Sequence, residues 1–496
     1  MSTEQETLLA GQGDAVSTEQ QSKQADVLVI DASVVGTGLE GVDEAEQEGD
    51  QHIDPWNVLG GKKGFDYLKL LRQFGTQPIT PALIKRIERL TNMRVHLFLR
   101  RGIFFSQQDL EKLLDHYEQG KQIFLYTGRG PSSQSMHIGH LVPFFFTEYL
   151  QRAFGCILVV QMSDDEKFYF KGENSLDYFT ELAYENAKDI VAVGLNPDKT
   201  YIFSNREEMG RGNPGLNDNL ILMNNFTGIN QVRSTFGLNK LSISHDENGL
   251  QKVSAAPASV GMMVWPVYQS IPAFSSSFKF IFGDTEALCL VPMGVDQADY
   301  FRVARDFSSA VKYLKPVCIH SEFVISLSGR GSKMSSTENI QPIFLTDDTQ
   351  SIRDKVQRCF SGGGMTKREH IEKGGDLTID VPYQWLLYFC DDDDLLEHIA
   401  KEYSSGRMMT HEIKKIMADC IIDCVTKHQT ARNLVTKDVI AHFFNPHRKF
   451  DHSRPVRKSL EPLTDDKYEK MGANFDRYFG CVRSDSDNTG KVVASV

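Results

Sequence analysis

The sequence predicts an α/β fold: a parallel sheet in the middle of the chain, followed by an all-helical region. Two observations carry this. Short, nearly continuous apolar runs at 122–126 (QIFLY), 156–162 (CILVVQM), 200–203, 288–292 and 317–320 have the length and composition of strands buried on both faces. Between the early runs lie helical periodicities at 141–154 and 176–193, the second ending at Gly194, so the order is strand, helix, strand. After about Asp347 strand signals fade. Apolar residues then recur at three and four spacing, as in Ile413, Ile416, Met417, Ile421 and Val425, and 409–428 and 437–444 read as helices of a separate bundle.

Upstream of the first strand, Thr80 and Pro81 supply an N-cap and a first-turn proline for a helix lined by Leu83, Ile84, Ile87 and Leu90. The run Ser106-Gln107-Gln108-Asp109 resembles a capping box for a second helix, with Leu110, Leu113, Leu114 and Tyr117 on one face and Gly120 as its stop. Segment 204–256 is rich in Gly, Asn and Ser and reads as an insertion into the strand–helix series. The four carboxylates Asp391–Asp394 precede Leu395, Leu396 and Ile399 and are read as favourable charge at a helix N-terminus, with a metal site as the alternative. The expected division is therefore 1–50, an acidic disordered tail; 51–118, a basic helical region; 119–347, the sheet domain; 348–450, the helical domain; and 451–496, a polar tail.

Charge is unevenly distributed. The 496 residues hold 54 Lys+Arg and 66 Asp+Glu, a formal net charge of -12. Residues 1–50 contain 12 acidic side chains and one basic, Lys23, so the remaining chain is almost neutral and the acidic average excludes no polyanionic partner. That tail has no sustained apolar period to offset its ordering entropy and is expected to be dispensable for chemistry. By contrast, 82–101 carries Lys85, Arg86, Arg89, Arg94, Arg100 and Arg101 against Glu88, a basic face that suits either water or phosphates. No run reaches the roughly 18–20 apolar residues of a membrane helix, and the amino-terminal segment has neither a signal-peptide pattern nor an Arg-rich presequence. The expectation is a cytoplasmic protein. Eight cysteines lack any CxxC pair, which fits reduced packing thiols, Cys420 and Cys424 included, and leaves no metal ligand set.

Chemistry is concentrated in two places. After the first strand comes Tyr126-Thr127-Gly128-Arg129-Gly130-Pro131, then His137-Ile138-Gly139-His140. A glycine-rich turn from a parallel strand into a helix presents backbone N–H groups and a positive helix end to a phosphate. It matches neither GxGxxG nor GxxxxGK[ST]. Alone, the two histidines fit a nucleotide loop, a metal pair or a surface turn. The second place is Gly329-Arg330-Gly331-Ser332-Lys333-Met334-Ser335-Ser336-Thr337, a Gly/Ser-rich loop with one Lys among hydroxyls, suited either to closing over polyphosphate or to linking.

Together, HIGH after the first strand and KMSST after the last resemble the class I aminoacyl-tRNA synthetases, which have a Rossmann-type nucleotide domain. The segments Gln161-Met162-Ser163-Asp164-Asp165-Glu166-Lys167, 265–275 (WPVYQSIPAFS) and 295–302 (VDQADYFR) are similar to the tryptophanyl-tRNA synthetases of eukaryotic cytosolic type, as are 98–106 and 361–363. The resemblance spans about 54–450. It implies ATP-dependent activation of L-tryptophan and transfer to tRNA(Trp), with Mg²⁺ assisting, by a homodimer whose C-terminal helical domain reads the anticodon. It implies that Tyr126 and Gln161 meet the indole N–H, and that Glu166, Gln269 and Gln297 surround the α-amino and carboxylate groups. Thr127, Gly128, Arg129, Gly139, His140, Lys167, Lys333, Met334 and Ser335 are implied for ATP, with His137, His140, Lys333, Ser335 and Ser336 in catalysis. The loop departs from the class pattern KMSKS: Ser336 stands for the second Lys and Thr337 for the final Ser, leaving Lys333 as the one cation of the five-residue KMSST stretch. Lys414, Lys415, Arg432 and Lys437, with the basic 82–101 face, are candidate tRNA contacts. Rival readings are a tyrosyl synthetase, a small-molecule nucleotidyltransferase and a catalytically silent tRNA-binding protein.

Overall fold

The computed structural model describes residues 71–461 except 73, 172–173, 236–240, 246–250, 256–258 and 334–339; beyond these it describes 52–53, 58–59, 463–464, 467 and 471. The acidic 1–50 segment and most of the polar C-terminal tail lie outside the described residues. In chain order the strands are β1 (His52–Ile53), β2 (Val58–Leu59), β3 (Gln77–Pro78), β4 (Phe104–Gln108), β5 (Ile123–Arg129), β6 (Ile157–Met162), β7 (Thr200–Ser204), β8 (Leu241–His245), β9 (Gln251–Ala255), β10 (Leu288–Gly294), β11 (Val317–Ser321), β12 (Ile325–Ser326) and β13 (Gly329–Lys333).

Seven of them form one sheet in the order β3-β4-β11-β10-β5-β6-β7. The five strands from β11 to β7 are parallel, while β4 and β3 add antiparallel at one edge. Every position of β6, β7 and β11 is buried, as their unbroken apolar runs predict for a sheet covered on both faces. From β5 the chain proceeds outward through β6 and β7, then returns to the other side of β5 with β10 and β11. That reversal opens a crevice at the carboxyl ends of β5 and β10, the usual place for a ligand in an open α/β sheet.

The insertion is helical first, with helices Asn205–Arg211, Pro214–Phe226 and Ile229–Thr235, and then forms the β8–β9 hairpin. Helix Val260–Ser270 returns the chain to the sheet. Beyond β13, six helices between Thr349 and Phe443 pack as a bundle around Trp385, Tyr403, Ile413, Met417 and Ile421, each at most 1% exposed. Asp392 N-caps helix Asp393–Ser404 by accepting the Leu395 N–H at 2.9 Å, and Asp393 receives Arg100 and Arg101; this is how the acidic run is used.

One local expectation is corrected. Thr80 does cap helix Pro81–Thr91, accepting the Leu83 N–H, but Ser106 and Gln107 do not form a capping box. They belong to β4. Asp109 turns the chain in the left-handed region, φ 62°, and the Gln107 side chain caps instead, its Oε1 accepting the Leu110 N–H at 2.9 Å. The basic face at 82–101 is largely neutralised within the protein: Arg86 and Arg89 bond Asp115 and Glu118, Arg94 bonds Glu88, and Arg100 and Arg101 bond Asp393. Arg432 pairs with Glu185 and Asp189, and Lys414 donates to the carbonyls of Gln357 and Cys359.

Residues 451–461, read from sequence as a featureless polar tail, run as an extended strap over helix ends. Arg457 donates to the carbonyls of Thr91, Arg152 and Ala153; Arg454 donates to those of Tyr117 and Lys121 and stacks on the Tyr117 ring at 4.1 Å. All but that of Lys121, which lies just past a helix, are carbonyls in the last turns of helices, where intrahelical partners run out. Arg457→Ala should therefore lower stability by about 1–3 kcal/mol, read as a lower denaturation midpoint, with the circular dichroism spectrum below the transition unchanged.

Candidate active site

Tyr126, Thr127, Gly128 and Arg129 are the last four residues of β5 and border a crevice cavity of about 450 Å³. Gln161 sits one strand away near the end of β6, opposite Gly128 in the β5–β6 register. The Tyr126 hydroxyl lies 2.6 Å from Gln161 Oε1 and 2.7 Å from the Gln269 carbonyl oxygen, two acceptors for one proton. Burial raises the Tyr126 pKa well above its ordinary value, so the phenol stays protonated. Trp265, Tyr300 and Phe301 supply the aromatic wall, with Phe301 edge-on to Tyr126 at 5.9 Å between ring centroids.

On the opposite bank, His137 N-caps helix Ile138–Phe154, whose amino end opens on the same cavity through Gly139 and His140. The two imidazoles stack at 3.4 Å. His140 Nδ1 faces two donors, the His137 backbone N–H and Arg129 Nη2, each at 3.3 Å, so Nδ1 is an acceptor and a neutral ring carries its proton on Nε2. Arg129 borders the cavity and is partly exposed to it; desolvation pulls its pKa down to about 10 against the opposing pull of Glu166, and it remains a cation at neutral pH. Besides His140 it touches Ser132 Oγ at 3.5 Å, and among the described residues no carboxylate hydrogen-bonds to it. A positive helix end beside such a guanidinium is suited to an anion.

Glu166 and Lys167 follow β6 on helix Asp164–Lys171. Lys167 Nζ donates to Glu166 Oε1 at 2.6 Å, and Ser163 Oγ donates to Glu166 Oε2 at 2.9 Å. Gly130 is a close approach here: a Cβ on it would lie 2.3 Å from Glu166 Oε2 and 2.6 Å from Lys167 Cε. Gly130→Ala is accordingly expected to displace both charges, seen as shifted Glu166 and Lys167 side chains in a crystal structure of the variant, while the circular dichroism spectrum stays as in the parent. Gln269 and Gln297 also border the cavity, Gln297 donating to Asp296 Oδ2 at 3.2 Å.

The structure thus gathers Tyr126, Thr127, Gly128, Arg129, His137, Gly139, His140, Glu166, Lys167, Gln269 and Gln297 round one cavity, with Gln161 directly behind Tyr126. The Lys333 side chain and all of Met334, Ser335 and Ser336 lie outside the described residues. What frames their loop is described: β13 ends at Lys333, and just past the loop the Met136 carbonyl accepts the Leu345 N–H while the Ile138 N–H donates to the Ile343 carbonyl, both at 2.9 Å. The 137–140 segment is therefore tied to the loop's return. Sequence reasoning missed Asp165 and Asn205, which hydrogen-bond behind Gln161. Asp165 stood inside a motif that gave it no role, and Asn205 opens an insertion with no motif; desolvation pushes the Asp165 carboxyl up to about 7.

Comparison with known proteins places this geometry. Residues 118–443 match the family model described as tRNA synthetases class I (W and Y). The chain belongs to that family. Among its relatives, the cytoplasmic tryptophan–tRNA ligase of Rattus norvegicus is 42% identical over 418 residues, covering 84% of this chain and 83% of the relative. That of Schizosaccharomyces pombe is 41% identical, covering 81% and 99%. The crystal structure of Plasmodium falciparum tryptophanyl-tRNA synthetase superposes with a TM-score of 0.69 at 43% identity, covering 77% of this chain and 96% of that one. The Encephalitozoon cuniculi enzyme, crystallised bound to tryptophan, gives 0.66 at 34% identity, covering 77% and 99%. As a class I synthetase, the chain activates an amino acid with ATP and charges tRNA with it.

Proposed function

We infer that the chain activates L-tryptophan with ATP and transfers it to tRNA(Trp), releasing pyrophosphate and AMP. The observation that carries the choice of tryptophan is the buried Tyr126–Gln161 pair at the floor of an aromatic-walled crevice, opposite an anion-binding helix end. An indole N–H needs an acceptor, and both side chains offer oxygen. Glu166, Gln269 and Gln297 hold the α-amino and carboxylate groups. Arg129, the Gly139–His140 end of the helix and Lys167 receive ATP with the β5 turn at Thr127 and Gly128, and Lys333, Met334, Ser335 and Ser336 close over its phosphates. Tryptophan's carboxylate attacks the α-phosphorus and pyrophosphate leaves; the terminal ribose hydroxyl of tRNA then attacks the adenylate's carbonyl and AMP leaves. No protein nucleophile is required, so positioning and charge compensation by His137, His140, Arg129 and Lys333 do the work.

Mg²⁺ fits this scheme as part of the substrate. Glu166, assigned above to the amino acid, is engaged by Lys167 and Ser163, and no group of three His, Cys, Asp or Glu forms a cage among the described residues. The ion accompanies ATP, held by phosphate oxygens and water. Incubation with ATP, labelled tryptophan and tRNA tests the reading: acid-precipitable tryptophanyl-tRNA is expected, and its absence would sink it in favour of a nucleotidyltransferase or a silent tRNA-binding protein.

The chain works as a homodimer in the cytoplasm, with helices 349–443 reading the anticodon. The relatives carry the word cytoplasmic in their names, and no helix among the described residues is long and apolar enough to cross a membrane. For the dimer, Ile221, Leu222, Phe226 and Ile229 are exposed apolar side chains on the consecutive helices Pro214–Phe226 and Ile229–Thr235, Ile221 and Ile229 being 68% and 69% exposed. Exposed apolar groups of that kind call for a partner, and a second copy supplies one. The double variant Ile221→Asp with Ile229→Asp should sediment as a monomer where the parent sediments as a dimer.

A further inference from the structure

Gln161 is fully buried behind Tyr126, and an amide can turn either oxygen or N–H toward the Tyr126 hydroxyl at the pocket floor. Its surroundings leave one choice. Gln161 Nε2 donates to Asn205 Oδ1 at 2.8 Å and to the Tyr268 carbonyl oxygen at 3.2 Å. A carbonyl only accepts. Asn205, also fully buried at the start of helix Asn205–Arg211, is held in its own sense because Nδ2 donates to Asp165 Oδ1 at 2.8 Å. The same Oδ1 accepts the Glu166 N–H at 2.9 Å. With two N–H groups on Oδ1, any proton on this carboxyl sits on Oδ2 and the sense of the chain is unchanged. An acceptor at each end therefore fixes both amides: Asn205 turns its oxygen to Gln161, and Gln161 turns Oε1 to Tyr126. Reversing either would set a buried donor against a donor.

We propose that Asn205, backed by Asp165, is a positioning residue for substrate specificity, locking the Gln161 amide so that an acceptor oxygen meets the ring N–H of the amino acid. This rests on the reading of Tyr126 and Gln161 as the indole-binding pair. Asn205 touches no substrate in this scheme. Its effect passes through Gln161, so it should alter the choice between rings with and without an N–H far more than catalysis itself.

The test is ATP–pyrophosphate exchange with tryptophan and with 3-(benzothiophen-3-yl)alanine, in which sulfur replaces the ring N–H. The parent enzyme is expected to prefer tryptophan by about 10² or more, because a site built around a hydrogen bond rejects a ligand lacking it. Asn205→Ala should shrink that ratio about tenfold, chiefly by raising KM for tryptophan, with KM for ATP and the benzothienyl parameters within about threefold of the parent. Asp165→Ala should act in the same direction, and it serves if Asn205→Ala fails to fold. Asn205→Asp, which keeps an acceptor toward Gln161 and can share one proton with Asp165, should restore most of the preference. An unchanged ratio in both alanine variants, with the two substrates losing activity equally, would overturn the proposal and leave Asn205 a packing residue. A parent enzyme indifferent to the ring N–H would instead overturn the pocket assignment itself, and the proposal with it.

Discussion

Arg129→Ala is expected to reduce kcat/KM for ATP in the exchange reaction by about 10²–10³, the scale for losing one preorganised charge-stabilising group. Arg129 ends β5 beneath the helix that begins with His137 and His140, and burial costs its guanidinium much of its hydration. Its guanidinium hydrogen-bonds Ser132 and the His140 ring, with Glu166 acting on it only through space; on the proposed reading the incoming triphosphate supplies its direct anionic partner. Tryptophan binding measured without ATP should be nearly unaffected, because Tyr126 and Gln161 are joined by their own bonds. Arg129→Lys should recover only part of the loss, since one ammonium cannot copy a planar, multidentate fork. Unaltered ATP kinetics in Arg129→Ala would remove this residue from the phosphate site.

Lys333→Ala should lower kcat by a similar 10²–10³ with KM for tryptophan unchanged. The loop it opens carries one cation where the class pattern has two, because Ser336 replaces the second Lys. Charge on the departing pyrophosphate therefore has a single neutraliser from this side. The backbone frames the loop firmly: Lys333 pairs with Ile325, Ser332 pairs with Leu59, and residues 343–345 bond to 136–138. Wild-type exchange in Lys333→Ala would show that the leaving group is compensated elsewhere.

The parallel core was legible because strands buried on both faces leave uninterrupted apolar runs, and β5, β6, β7, β10 and β11 fall where those runs stand. The site was legible where its residues lie in contiguous motifs, as from Tyr126 to His140 and from Gln161 to Lys167. What escaped depends on partners far apart in sequence. The acids that neutralise Arg86 and Arg89 lie 29 to 32 residues away, so local charge counting left a basic face that the fold largely closes. The strap at 451–461 has no apolar period because its arginines bond backbone carbonyls, which leave no mark on a hydropathy pattern. Asn205 reaches Gln161 across 44 residues only once β6 and β7 pair. Gln107 was misread because β4, a strand with polar residues, and a capping box share the same polar letters.

The central claim is that the Tyr126–Gln161 pocket selects tryptophan for adenylation. Parallel ATP–pyrophosphate exchange with L-tryptophan and L-tyrosine measures it most directly. Tryptophan should support exchange with kcat/KM at least about 10³ above that for tyrosine, since a smaller phenol leaves the buried oxygens without the indole N–H. Equal or greater exchange with tyrosine would contradict the account.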